Sequence, residues 1–293
     1  MKPADFALML AIMVIWGLNF PLAKTALEEI PPIFAMSLRF GLVAALMLPF
    51  VRVPRGRFGA LFLLAITLGL VHFSLMFTGV SRLDGAVAAV ATQIQVVFAA
   101  GLAWVFFGDR IRWRRATGIA IALAGVAVLA GEPRHAADPW PLAMVVGAAF
   151  MWALANVQMK KLADVDGFTL TAWTALFSAP LQLGASLVLE SGQREAFLHA
   201  SWPAWGGVLY MAIMVGIVSY LGWLWLLRRH PINVVMPFTL LVPVFGAAFS
   251  IWLRGEPMTW NLLVGGGLTV AGVGIIVLRR PGTAAPDAAA KSA

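Results

Sequence analysis

Gly108-Asp109-Arg110-Ile111-Arg112-Trp113 and Gly255-Glu256-Pro257-Met258-Thr259-Trp260 lie 147 residues apart and share a frame of glycine, an acidic residue and tryptophan. The register holds well beyond them. Downstream, Gly118 meets Gly265, and Ala124-Gly125-Val126 meets Ala271-Gly272-Val273. Upstream, Gly69, Arg82, Val87, Thr92 and Phe98 meet Gly216, Arg229, Val234, Thr239 and Phe245. Near the start of each half, Trp16-x-Leu18 with Lys24 recurs as Trp152-x-Leu154 with Lys160, at an offset of 136. The chain reads as a duplication, and the size of the repeated unit decides the fold.

That unit is apolar. Of 293 residues, 61% are hydrophobic and 12% charged, against about 45–50% and about 25% in ordinary globular chains. This excludes a soluble protein, and the recurrence of bilayer-length apolar runs from end to end excludes disorder. Candidate helices fall at about 5–24, 32–51, 58–80, 85–107 and 114–131, then at about 140–160, 167–189, 203–227, 232–253 and 260–278. Ten crossings of roughly 20 residues leave no room for a soluble catalytic or ATP-hydrolysing domain, and no phosphate-binding G-x-x-x-x-G-K-[ST] loop occurs. The absence of cysteine removes disulfide frameworks and thiolate metal sites. The first apolar stretch is too long for a signal-peptide core and is followed by no convincing cleavage site, so it is read as a retained helix.

A net charge of +8 would suggest nucleic acid in a soluble chain, but the positions of the charges give another reading. With the N-terminus cytoplasmic, 15 of the 21 Lys and Arg fall on inside segments, and only Arg82, Arg134, Arg194 and Arg254 on outside loops. The positive-inside rule therefore orients ten helices with both termini cytoplasmic. Five helices per repeat is an odd number, so the second copy must cross in the opposite sense. The turn GDRIRWRR of the first half has accordingly become GEPMTWNL in the second, shedding its basic residues on the outer side. The fold class is thus all-α integral membrane, as two inverted five-helix repeats over residues 1–135 and 136–281, followed by a disordered cytoplasmic tail at 282–293. Inverted repeats are used mainly by transporters, with substrate held near the midplane between the halves; a purely structural bundle is the alternative.

These motifs resemble the EamA family of the drug/metabolite transporter superfamily. They are Trp16-Gly17-Leu18-Asn19-Phe20, the two Gly-acidic turns Gly108-Asp109-Arg110-Ile111 and Gly255-Glu256-Pro257-Met258, and the stretches Gly118 to Val126 and Gly265 to Val273. The resemblance covers nearly the whole chain. Length and the aromatic-rich first half look most like the YddG type of bacterial aromatic amino-acid exporter. It implies a multi-pass protein of the bacterial inner membrane.

Candidate substrate-binding residues come from helical spacing. Trp16, Asn19 and Phe20 share a face, as do Trp152 and Asn156 on the equivalent helix. His72 aligns with Met76, Thr92 with Gln95 beside Gln93, and Tyr220 with Trp223 next to Ser219. The lining set is therefore Trp16, Asn19, His72, Met76, Gln93, Gln95, Trp152, Asn156, Tyr220 and Trp223, and helices one, three, four, six, eight and nine are assigned to the cavity. Helices five and ten carry Gly118, Gly125, Gly265 and Gly272 at spacings that permit close packing. Trp113, Trp140, Trp202, Trp205, Trp252 and Trp260 sit at helix ends, where amphipathic rings prefer the interface. Pro21, Pro180, Pro237 and Pro243 fit helices that bend around a cavity.

No Asp or Glu lies mid-helix, which argues against an ion-coupling carboxylate and for facilitated diffusion or exchange. His72 either lines a wet cavity or titrates. Arg39, inside helix two, either pairs with Glu28 or Glu29 at the outer surface or neutralises a substrate carboxylate; the structural role is read first. The expected function is export of amino acids or similar small zwitterions by alternating access. A cationic drug exporter is the alternative, and an integral membrane enzyme the rival of another class. Neither catalytic residues, metal ligands nor cofactors are expected. The expected partners are a small-molecule substrate and the bilayer, without nucleic acid, and the chain is read as a monomer.

Overall fold

A computed structural model describes residues 2–107, 113–132, 138–162, 164–230 and 235–277, and nearly all of them are helical. The first Gly-acidic turn and the tail at 282–293 lie outside the described residues. In chain order α1 spans Pro3–Leu27, α2 Pro32–Met47 and α3 Phe58–Arg82. α4 comes in two pieces, Gly85–Ala91 and Ile94–Phe107, and α5 is Trp113–Ala130. α6 is Trp140–Lys161 and α7 is Gly167–Leu189, with the short helix Gln193–His199 after it. α8 runs through Trp202–Tyr210, Met211–Ser219 and Tyr220–Arg229; α9 is Leu241–Arg254, entered through the 3₁₀ turn Met236–Leu240; α10 is Trp260–Val277. Among the described residues eight helices are long and apolar enough to cross a bilayer, and the apolar stretches Ala116–Ala130 and Phe238–Arg254 are shorter. Pro3, Pro32, Pro141 and Pro203 open their helices in the first turn, where the missing N–H has no partner to lose.

Irregularities recur in register. α3 passes through a π segment at Ala65–His72, and α8 through one at Met211–Ser219, ending 147 residues later. The α4 break at Thr92–Gln93 is matched by the 3₁₀ turn that reaches Leu240 before α9. In lipid such interruptions persist only where neighbours satisfy the freed backbone groups. Gln182 of α7 does this for α3, its Nε2 donating to the Gly69 carbonyl at 2.5 Å while its Oε1 accepts from Ser74 Oγ at 3.0 Å.

The packing obeys the same exchange of halves. α5 packs along α10 and α2 along α7, α1 packs on α9 as α6 does on α4, and α1 on α8 as α6 does on α3. α5 and α10 run antiparallel, for Gly118 abuts Gly272 and Ile276 while Leu129 abuts Gly265. α2 and α7 are antiparallel as well: the start of α2 bonds Glu190 beyond the end of α7, and Trp173 near the start of α7 donates to the Arg52 carbonyl beyond α2. A Cβ on Gly272 would lie 2.6 Å from the Gly118 carbonyl oxygen, and one on Gly265 2.8 Å from that of Gly125, so only glycine allows these backbones to touch.

Helix ends gather into two polar faces. One holds Asp5 with His230 (2.8 Å) and Arg57 with Asp164 (2.8 Å). The other holds Lys24 with Glu256 (3.7 Å) and Asp84 (3.9 Å), Arg254 with Glu28, and Glu29 with Ser201. Trp113, Trp140, Trp202, Trp252 and Trp260 at helix ends are each at least 69% exposed, as interfacial rings are.

Candidate functional site

Arg39 is the eighth of the 16 residues of α2 and is 4% exposed. A guanidinium at that depth costs about 2.5–3.5 kcal/mol on insertion scales and therefore needs company. The expected partners are taken elsewhere. Glu28 pairs with Arg254, and Glu29 accepts from the Ser201 hydroxyl and N–H. Arg39 sits seven residues into α2, about 10 Å along its axis at 1.5 Å per residue, too deep to reach that surface. Its neighbours are Met36 Sδ at 3.8 Å and the rings of Phe73 and Phe40, 4.5 and 5.4 Å from Cζ, and its Nε has no partner.

Arg39 lines a cavity of about 50 Å³ with Phe40, Phe73, Thr174, Gly216 and Tyr220, room for a few waters at about 10–15 Å³ each. Phe73 and Tyr220 are 147 residues apart and follow the two π segments. Arg39 and Thr174 occupy the same register, since α2 opens at Pro32 and α7 at Gly167, 135 residues on, and 135 also separates Arg39 from Thr174. The cavity therefore sits on the relation between the halves. Where one half presents a guanidinium the other presents a hydroxyl, and Thr174 Oγ1 is buried without a partner.

The aromatic neighbours are paired in the same way. Trp16 Nε1 donates to Ser219 Oγ at 2.7 Å, and its ring lies 6.4 Å from Tyr220 and 5.2 Å from Trp223. In the other half Trp152 lies 5.3 Å from His72, the register mate of Ser219. His72 Nδ1 donates to the Ala148 carbonyl at 2.7 Å, and the ring is buried against Phe73. It is a packed histidine rather than one standing in a wet cavity.

The structure thus brings Trp16, Tyr220 and Trp223 together on one side, and His72 and Trp152 on the other, with Tyr220 at the cavity wall. The remaining candidates sit apart from this group. Gln93 is buried at the α4 break and donates to the Thr239 carbonyl at 3.4 Å, its Oε1 unpartnered. Asn19 is half-buried with an unpartnered Oδ1, and Gln95 is half-buried on α4. Met76 packs in the apolar core. Asn156 is exposed and returns its amide to the Trp152 carbonyl at 2.8 Å.

Sequence reasoning passed over α7. Thr171, Thr174, Ser178 and Gln182 form a polar stripe at steps of three and four residues on an apolar helix, a signal that would have found it. Three of the four are buried, and the fourth, Thr171, also lines the cavity.

Several carboxylates meet helix N-termini or cations rather than this centre. Glu256 accepts from the N–H of Gly85 and Ala86 at 2.8 and 2.9 Å, capping α4, and Glu190 accepts from Ile33 and Phe34 at 2.8 and 3.0 Å, capping α2. Asp166 accepts from Thr169 N–H, capping α7. Two hydrogen bonds from Ser201 hold the Glu29 carboxyl below its ordinary value of 4.5. Among the described residues no cluster of His, Asp and Glu is suited to a metal. A larger open depression of about 450 Å³ lies along the exposed helix Gln193–His199, away from the centre.

Residues 5–131 and 139–278 each match the model of the EamA-like transporter family. Over 287 residues the chain is 31% identical to a Salmonella typhimurium protein named a probable amino-acid metabolite efflux pump, covering 94% of this chain and 96% of that one. A protein of the same name in Escherichia coli is 30% identical over 94% of this chain and 96% of its own. A probable terminal-alkyne amino-acid exporter of Streptantibioticus cattleyicolor is 27% identical over 96% of each chain. One solved crystal structure superposes with a TM-score of 0.63 at 18% identity, covering 95% of this chain and 98% of that one, a likeness of fold alone.

Proposed function

The chain belongs to the EamA-like transporter family, and from that premise we propose that this multi-pass membrane protein exports amino acids or similar small zwitterions across the bacterial inner membrane. It crosses ten times as two inverted five-helix repeats, 1–135 and 136–281, with both termini cytoplasmic. Supporting this reading are the two family matches, the antiparallel pairing of α5 with α10 and of α2 with α7, and the sorting of loop contacts into two faces.

The observation that carries the substrate class is the cavity between the halves, walled by aromatic rings, a buried guanidinium and hydroxyls. Such a wall suits a small molecule bearing both charge and an apolar side chain. The names of the relatives agree in kind. A cationic drug exporter has less support, because the carboxylates described above serve as caps and ion-pair partners at helix ends. Without an intramembrane carboxylate to carry a coupling charge, transport is facilitated diffusion or exchange. Transport proceeds by alternating access, the halves rocking about the cavity.

Purified protein in liposomes, loaded with unlabelled amino acid and given labelled amino acids, cationic drugs or nucleotide sugars, tests this. Saturable amino-acid counterflow without an ion gradient is expected. Counterflow of drugs alone would sink the substrate class, and transport that appears only with a proton gradient would sink the uncoupled mechanism.

A further inference from the structure

We propose that Arg39, with the hydroxyls of Thr174 and Tyr220, is the binding site for the carboxylate of the transported molecule, an inference that rests on the amino-acid reading above. Arg39 is 4% exposed, and among the described residues no carboxylate stands within ion-pair reach of it. Among the described residues its one hydrogen bond is to a thioether sulfur at 3.8 Å, a weak acceptor, and its Nε is unpartnered. Phe73 covers one face of the guanidinium at 4.5 Å, which leaves the edge, where the five N–H donors lie, for a ligand.

The edge is not alone. Thr174 is 4% exposed with its hydroxyl unpartnered, and Tyr220 lines the same cavity. Three donor side chains thus line a space of about 50 Å³, and among the described residues no carboxylate pairs with the guanidinium there. A planar anion with two oxygens fits that arrangement, one oxygen on the guanidinium fork and the other shared with the hydroxyls.

The position explains the ligand's orientation as well. The two halves place corresponding residues around the cavity, yet only one supplies a charge, because Arg39 faces Thr174. A carboxylate is therefore drawn to the α2 wall, while the rest of the molecule is left toward the rings of Phe73 and Tyr220. A substrate that lacks the carboxylate would leave the buried guanidinium without an anion and should bind poorly.

The test uses liposomes exchanging L-phenylalanine, challenged with 3-phenylpropionate, which keeps the carboxylate, and with phenethylamine, which keeps the ammonium. For the unmodified protein, 3-phenylpropionate is expected to compete at least tenfold better than phenethylamine. Arg39→Met should raise the phenylalanine KM at least tenfold and abolish that preference, and Arg39→Lys, which keeps charge but not the fork, should fall between. Thr174→Val and Tyr220→Phe, which change little volume, should each raise KM two- to tenfold, and they carry the test should Arg39→Met not fold. Equal competition by both compounds, or an unchanged KM in Arg39→Met or in both hydroxyl variants, overturns the proposal. If phenylalanine is not exchanged at all, the amino-acid reading fails by itself. The carboxylate site is then judged by thermal stabilisation of the detergent-purified protein with 3-phenylpropionate. Stabilisation lost in Arg39→Met, Thr174→Val and Tyr220→Phe upholds it, and stabilisation absent from the unmodified protein or retained in the variants overturns it.

Discussion

At the residue scale, His72 and Glu29 show how one side chain can serve packing or charge. His72 is wedged between Phe73 and Trp152 and donates to the Ala148 carbonyl. His72→Ala is therefore expected to weaken transport several-fold and also to destabilise the protein by about 1–3 kcal/mol, since a packed ring and a hydrogen bond are lost together. Transport by counterflow and unfolding in detergent measure the two effects; an unchanged melting temperature would argue for a wet cavity. Glu29 gives a pH signature. Ser201 depresses its carboxyl from 4.5, so the contact is fully present above that value and is lost as pH falls through the lower folded value. Amide protection at the first turn of α8, taken relative to the intrinsic exchange rate at each pH, should be flat from neutrality to about pH 5 and fall as pH drops below the ordinary value of 4.5, and Glu29→Ala should show the low protection already at neutral pH.

At the scale of elements, the duplicated Gly-acidic turn has a structural purpose in the copy that is described: Glu256 caps the start of α4. Glu256→Ala orphans the N–H groups of Gly85 and Ala86 and takes a carboxylate from Lys24. An expected loss of about 1–3 kcal/mol follows, read as a lower melting temperature, with Glu256→Gln losing less because its amide oxygen still accepts. The α5–α10 pair depends on bare backbone. Gly125→Leu or Gly272→Leu would push the helices apart and is expected to cost about 1–3 kcal/mol or more. Gly41→Leu on α2, which meets nothing within 4 Å, is the control that should be tolerated. A normal melting temperature for Gly125→Leu would mean that the two helices do not pack as described.

At the scale of the whole molecule, the proposed inverted arrangement assigns each loop a side. A cysteine replacing Arg194 should react with an impermeant thiol reagent applied from the periplasm, and one replacing Arg55 should react only after the membrane is permeabilised. The chain has no native cysteine to confuse the reading, and reversed labelling would overturn the orientation. The contacts on the two faces make a linked expectation: Arg57 with Asp164 belongs to the same side as Arg55, and Arg254 with Glu28 to the side of Arg194.

The sequence by itself carried membrane embedding, the duplication and the family resemblance, because apolar length, charge placement and glycine spacing are properties of short stretches that need no partner to be read. That α5 and α10 are close-packing helices was legible in Gly118, Gly125, Gly265 and Gly272 for the same reason, but not that they pack on each other. The π segments at Ala65–His72 and Met211–Ser219 were hidden, since a shift of backbone hydrogen bonding leaves an apolar run apolar. The site divided along similar lines. Spacing grouped residues within single helices, Trp16 with Asn19, His72 with Met76, Trp152 with Asn156 and Tyr220 with Trp223; in the structure Trp16 neighbours Tyr220 and Trp223, His72 neighbours Trp152, Asn156 is exposed and Met76 packs in the core, for spacing fixes a face and not what that face meets. Only the tertiary structure decided the fate of Arg39. Its two readings differed by whether Glu28 and Glu29 were free, and both are engaged elsewhere, Glu28 by Arg254 and Glu29 by Ser201. Arg39 and Thr174 are far apart in the chain and meet at one cavity because α2 and α7 pack antiparallel, and a contact between halves depends on how the helices pack, which no local pattern records.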